Sequence, residues 1–120
     1  MRYITFVKMV EDIGDPPPEL VEAMGKEMEQ AFADGTMIEA GGLSGMRDST
    51  EIHLRDGSIA QTDGPYAEGK EVAGGYAITE VRSHEEAVEG ARRVLELHQQ
   101  YWPGWEGSVE IRQMFSNAGQ

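Results

Sequence analysis

Residues 50–75 read TEIHLRDGSIAQTDGPYAEGKEVAGG. Thr50–Arg55 and Ser58–Thr62 are short strand-like runs, and Asp56-Gly57 lies between them. An Asp-Gly pair flanked by two such runs is the strongest short-range hairpin signal, because the tight turn needs positive φ at both central residues. Asp63-Gly64-Pro65 then marks a rigid turn. Asp bonds backbone amides two residues on, Gly permits positive φ, and Pro fixes φ. Gly75–Val81 reads as a further strand.

On the N-terminal side, Arg2–Val10 is rich in β-branched and aromatic residues. Alternation puts Tyr3, Val7 and Met9 on one face and Ile4, Phe6 and Val10 on the other. Both faces are apolar, so the strand is expected to be buried on both sides. Prolines 16–18 suit a first helical turn. Leu20, Met24, Met28, Ala31 and Phe32 recur at helical spacing, which predicts an amphipathic helix over Pro18–Ala33. Asp34-Gly35 stops it. Gly25 inside it suggests close helix–sheet contact. Thr36–Leu43 predicts a second strand, followed by a loop through Ser49.

On the C-terminal side, Ser83-His-Glu-Glu86 matches a capping box, in which the glutamate reaches back to the amide of the N-cap residue. Ala87, Ala91, Val94, Leu95 and His98 line one face of the helix that follows, and Pro103-Gly104 ends it. Ser108–Phe115 predicts the last strand, with Val109, Ile111 and Phe115 on one face. The tail 116–120 is expected to be flexible.

The order is strand, helix, strand, hairpin, strand, helix, strand in a single domain over residues 1–120. This predicts an α+β, ferredoxin-like chain: an antiparallel sheet with two helices on one face. Two helices cover only one face of such a sheet. The other is apolar enough to need a partner, and a homodimer with the sheets face to face would supply it.

The chain of 120 residues carries 22 acidic and 10 basic residues, a formal net charge of -12. That balance disfavours phosphate-backbone binding and adsorption to anionic membranes, so neither nucleic acid nor membrane is an expected partner. No cysteine is present, which removes disulfides and thiolate chemistry. The N-terminus reads as a strand rather than a signal peptide, so the cytoplasm is the expected location. No histidine pair has metal-ligand spacing, and neither a metal nor a cofactor is expected.

The stretch Thr62–Tyr76, TDGPYAEGKEVAGGY, resembles the signature of the YCII-related superfamily in its DGPF branch, with Tyr66 in place of the usual Phe. Glu39-Ala-Gly-Gly42 and Gly107-Ser-Val-Glu-Ile-Arg112 support the resemblance, which spans nearly the whole chain. It implies a ferredoxin-like fold dimerised into an α/β barrel. It also implies an association with extracytoplasmic-function sigma factors. Some members of the wider superfamily resemble enzymes with a His–Asp pair whose His lies in the first helix; Pro18–Ala33 contains no histidine.

Two functions follow. The first is a small-molecule-binding or accessory protein with its pocket near the Asp63-Gly-Pro-Tyr66 motif. The second is a cofactor-free enzyme using Asp63 as general base, with a nearby His or Lys70. Asp63 is either that base or the anchor of a rigid turn. Tyr66 would flank it. Glu68, Lys70 and Glu71 form a charged cluster that either binds ligand or is simply solvated. His53 points opposite to Ile52 and Leu54, toward solvent or a pocket. Trp102 or Trp105 either lines a pocket or closes over the sheet edge. His98 is expected to be partly buried and satisfied.

Overall fold

The computed structural model describes residues 1–10, 13–65 and 71–115. The elements are β1 (Arg2–Val10), α1 (Pro18–Ala33), β2 (Met37–Gly42), β3 (Thr50–Arg55), β4 (Ser58–Asp63), β5 (Glu71–Glu80), α2 (His84–Tyr101) and β6 (Gly107–Gln113). One sheet has the order β2-β5-β1-β6, antiparallel at every pairing. The two strand–helix–strand units therefore interlock: β5 lies between β1 and β2, and β1 lies between β5 and β6. This is the ferredoxin-like α+β arrangement.

Residues paired across antiparallel strands share a face of the sheet. Tyr3 and Val7 share the helix-covered face with Ile111 and Val109, while Ile4 and Phe6 share the opposite face with Ile78 and Tyr76. The register shifts between Val7 and Lys8, where Val7 pairs Gly75, Lys8 pairs Ala73, and Gly74 is the extra residue of a β-bulge.

The helices close tightly over one end of the sheet only. There Tyr3, Val81 and Ala87 form the core, with Ile111 packed against it. At the other end Leu20, Leu97 and His98 are buried, and a cleft opens between helices and strands. On the uncovered face Ile4, Phe6, Tyr76 and Ile78 are half-buried, so the expected second cover over β1 is not provided within the single chain.

The hairpin forms as predicted, with Asp56 at φ 52 and Gly57 at φ 78. It is a separate two-stranded sheet. Ile52 pairs Gln61 and Leu54 pairs Ile59, so the apolar residues gather on one face. That face is open to water: Ile52 is 67%, Leu54 68% and Ile59 75% exposed. Neither strand packs extensively on any element other than its mate. The Cα radius of gyration, 16.3 Å, exceeds the ~13.5 Å of a compact chain of this length, consistent with an arm standing off the body.

Several expectations change. β5 begins at Glu71, four residues before the expected start at Gly75, so Gly74 lies inside the strand instead of preceding it. β6 ends at Gln113, and Phe115 lies beyond it, 94% exposed. Ser83 accepts the Glu86 amide as expected, but Glu86 reaches back to the Arg82 amide instead of that of Ser83. Gly25 makes no close helix–sheet contact; a Cβ there would meet open space. The tail 116–120 lies outside the described residues.

Candidate functional site

The last two turns of α2 build one wall of the cleft. Periodicity places His98 on the apolar stripe, one turn after Val94, and it is 7% exposed. Its Nδ1 lies 2.8 Å from the Val94 carbonyl oxygen. A carbonyl only accepts, so Nδ1 carries the hydrogen and, in the neutral ring, Nε2 is left as an acceptor. No partner for Nε2 is found among the described residues, and His98 lines the cleft.

Helix α2 ends in a turn that brings a second indole back over this histidine. Trp105 N–H donates to the Trp102 carbonyl at 3.1 Å, and Gly104 has φ 87. Pro followed by a positive-φ Gly is the type II turn chemistry. The His98 ring lies 4.3 Å from the Trp105 ring and 6.4 Å from that of Trp102. Gly107 permits this approach, because a Cβ there would lie 2.4 Å from both Trp105 and the Lys8 carbonyl oxygen. The indole nitrogen of Trp105 is buried without a partner.

The cleft has two adjoining chambers. The first, of about 330 Å³, lies among Trp102, Trp105, Val72 and the loop Leu43, Ser44 and Gly45. The second, of about 410 Å³, lies between the sheet and α1, against Val7, Leu20, Met24 and Met28. Met9, Pro16, Gly74 and His98 border both. These volumes suit a small organic ligand. No charged side chain borders either chamber among the described residues. The lining therefore offers apolar contact, two indoles, one serine hydroxyl and one imidazole acceptor.

Of the residues singled out in the sequence, Trp102, Trp105 and His98 line this cleft. Asp63 does not border it. Its Oδ1 accepts from Thr50 Oγ1 and Gln61 Nε2, both at 3.1 Å, and no His or Lys pairs with it among the described residues. His53 sits on the hairpin with Nδ1 3.2 Å from Glu51 Oε1. Glu71 starts β5 next to Val72 and accepts the Ser108 hydroxyl at 2.6 Å; it does not border the cleft. Tyr66, Glu68 and Lys70 lie outside the described residues. The candidate residues are thus spread over arm, sheet and cleft.

The Asp63-Gly64-Pro65 motif touches the cleft indirectly. The Gly64 amide donates to the Ser49 carbonyl at 2.7 Å. A Cβ on Gly64 would lie 1.8 Å from the Met46 carbonyl oxygen, so glycine is needed for this approach. The turn Met46–Asp48 directly follows the loop that walls the first chamber. The motif braces that loop.

Sequence reasoning missed His98 as the centre of the site. A signal was present: Trp102 follows His98 at i+4, and the Pro103-Gly104 turn returns Trp105 to the same place.

Three groups on the uncovered sheet face have shifted titration: Glu80, held low by the N-terminal ammonium and by Arg2, Glu110 and Tyr76. The Lys8 ammonium, 2.8 Å away, holds the Glu110 carboxyl below its usual range. The phenol of Tyr76 donates to Glu39, which holds the proton on and raises its pKa. No three His, Cys, Asp or Glu residues cluster as metal ligands among the described residues. No described helix is long and apolar enough to cross a membrane.

A family model described as YCII-related domain matches residues 1–99. Trp102 and Trp105 fall beyond the matched span. No curated protein matches the chain.

Proposed function

The chain belongs to the YCII-related domain family, and from that premise we propose that it binds a small, neutral, largely apolar molecule in the cleft between the helices and the sheet. One observation carries this reading. His98 is nearly fully buried, commits Nδ1 to its own helix and borders a cleft that has no charged side chain among the described residues. In the neutral ring Nε2 is then an acceptor, and a ligand donor would pair it.

The test is a thermal-shift screen of neutral aromatic and aliphatic compounds on the wild type and on His98→Leu. A ligand at about 100 times its Kd should stabilise the wild type by about 2.7 kcal/mol and the variant by clearly less. Hits that shift both proteins equally would overturn the reading.

The Asp63-Gly-Pro-Tyr66 motif supports the DGPF branch of the family. A cytoplasmic accessory role beside a sigma factor rests on the likeness of that motif alone. Acid–base catalysis at Asp63 would need a proton-transfer partner, and its carboxylate instead takes a hydroxyl and an amide donor.

We also propose a homodimer. The uncovered sheet face has an apolar centre of Ile4, Phe6, Tyr76 and Ile78, with the Lys8–Glu110 pair beside it. Interfaces share that anatomy. Strand spacing and rise give this face roughly 430 Å² and the hairpin face roughly 200 Å² as flat areas. A standard interface takes ~800 Å² per partner. The sheet face falls well short of that on its own, and the arm brings the total nearer.

A further inference from the structure

We infer that the two chambers hold the two ends of one amphiphilic ligand: a hydroxylated aromatic head against Trp102 and Trp105, and an unbranched aliphatic tail along α1. The inference rests on the cleft being the ligand site.

The head follows from the first chamber. Two indoles border it, and aromatic walls favour a flat ring. The His98 imidazole stands at the boundary of both chambers. Its Nε2 is an acceptor because Nδ1 donates to Val94, so the matching ligand group is a donor. A hydroxyl fits this requirement; an ether or ketone does not. The ligand is neutral because no charged side chain borders either chamber among the described residues, and the chain's net charge of -12 would repel an anion.

The tail follows from the second chamber. Val7, Leu20, Val21, Met24 and Met28 border it, and His98 is the one polar side chain at it among the described residues. Methionine thioethers adapt to the shape of a flexible chain. Two glycines keep the path open. A Cβ on Gly74 would lie 2.8 Å from the Met9 sulfur, and Met9 borders both chambers. Gly25 faces empty space on α1 at the edge of the second chamber.

The test is titration of the full chain with phenol, para-propylphenol and para-heptylphenol, read by tryptophan emission. Both tryptophans of the chain border the head chamber. Excitation at the red edge of indole absorption avoids the phenols. In the wild type, Kd should fall about fourfold per added methylene until the tail chamber is full. Gly25→Leu places a side chain in that chamber at a helix-compatible position. It should flatten the series while leaving the Kd of phenol within about threefold. His98→Phe should weaken every phenol by a common factor, and para-alkylanisoles should bind the wild type no better than the phenols bind that variant. Phenol binding with no chain-length dependence would overturn the amphiphile alone, as would a dependence that survives Gly25→Leu. If no phenol changes emission or melting temperature, the cleft reading falls with it.

Discussion

Leu54→Asp on the hairpin is the sharpest probe of the assembly. Leu54 is 68% exposed in the single chain and shares its face with Ile52 and Ile59. Full burial of a leucine stabilises by about 1.5–3 kcal/mol. About two-thirds of that remains to be gained at an interface, or roughly 1–2 kcal/mol per copy. A twofold dimer loses it twice, roughly 2–4 kcal/mol, which raises the dimer Kd by about 30- to 700-fold. Sedimentation velocity across a micromolar concentration series reads this directly. The fold should survive, because the arm packs on little of its own chain, and far-UV circular dichroism checks that. Leu54→Lys separates burial from charge. Adding a positive charge to a chain of net charge -12 reduces self-repulsion, so an equal loss with both variants identifies apolar burial as the cause. A Leu54→Asp protein that sediments like a dimeric wild type would refute the role of the arm. A wild type that is monomeric at micromolar concentration would refute the dimer.

Gly25→Ala and Gly90→Ala should each stabilise by up to ~1 kcal/mol, since both are helical and a Cβ meets open space; calorimetry should show a rise of a few degrees in each. Gly64→Ala should cost about 1–3 kcal/mol through overpacking against the Met46 carbonyl, whereas Asp63→Asn keeps an acceptor for Thr50 and should melt within about 1 kcal/mol of the wild type. Asp63→Asn should also leave ligand affinity unchanged, and a lost affinity would move the site from the cleft to the motif. Because the Glu110 carboxyl is held below its usual pKa of 4.5 by Lys8, its contribution is present above the unfolded value and fades as pH falls through the folded one. Glu110→Gln should therefore lower the melting temperature at neutral pH and lose that effect in acid, and added salt should shrink the difference.

The fold was legible because its signals are local and agree with one another. The Asp56-Gly57 turn, the period of Leu20, Met24 and Met28, and the Ser83 cap each specify an element without reference to the rest of the chain. The start of β5 was not legible, because Glu71-Val-Ala-Gly-Gly75 lacks a clear alternation and its pairing is decided by β1 across the sheet. The site was only half legible. Trp102 announced itself by composition. His98 looked like core because, on its own helix, it sits where a core residue belongs, and its importance comes from a gap between α1 and the sheet that no local pattern encodes. Asp63 drew attention as an ionisable group in a motif, yet its motif acts through the backbone of Gly64.

The bulge at Gly74 makes a single residue dispensable for register and indispensable for shape. Met9 already pairs Val72 and Lys8 already pairs Ala73, with Gly74 skipped between Ala73 and Gly75. Deleting Gly74 would leave each of these partners in place and turn no side chain to the wrong face, unlike a deletion within a regular ladder. It would, however, remove the carbonyl that accepts the Leu43 amide at 3.0 Å, and with it the tether of the loop walling the first chamber. A length change of one residue here would thus pass unnoticed by the sheet and be registered by the cleft, which makes β5 a place where the chain can vary its pocket without renegotiating its fold.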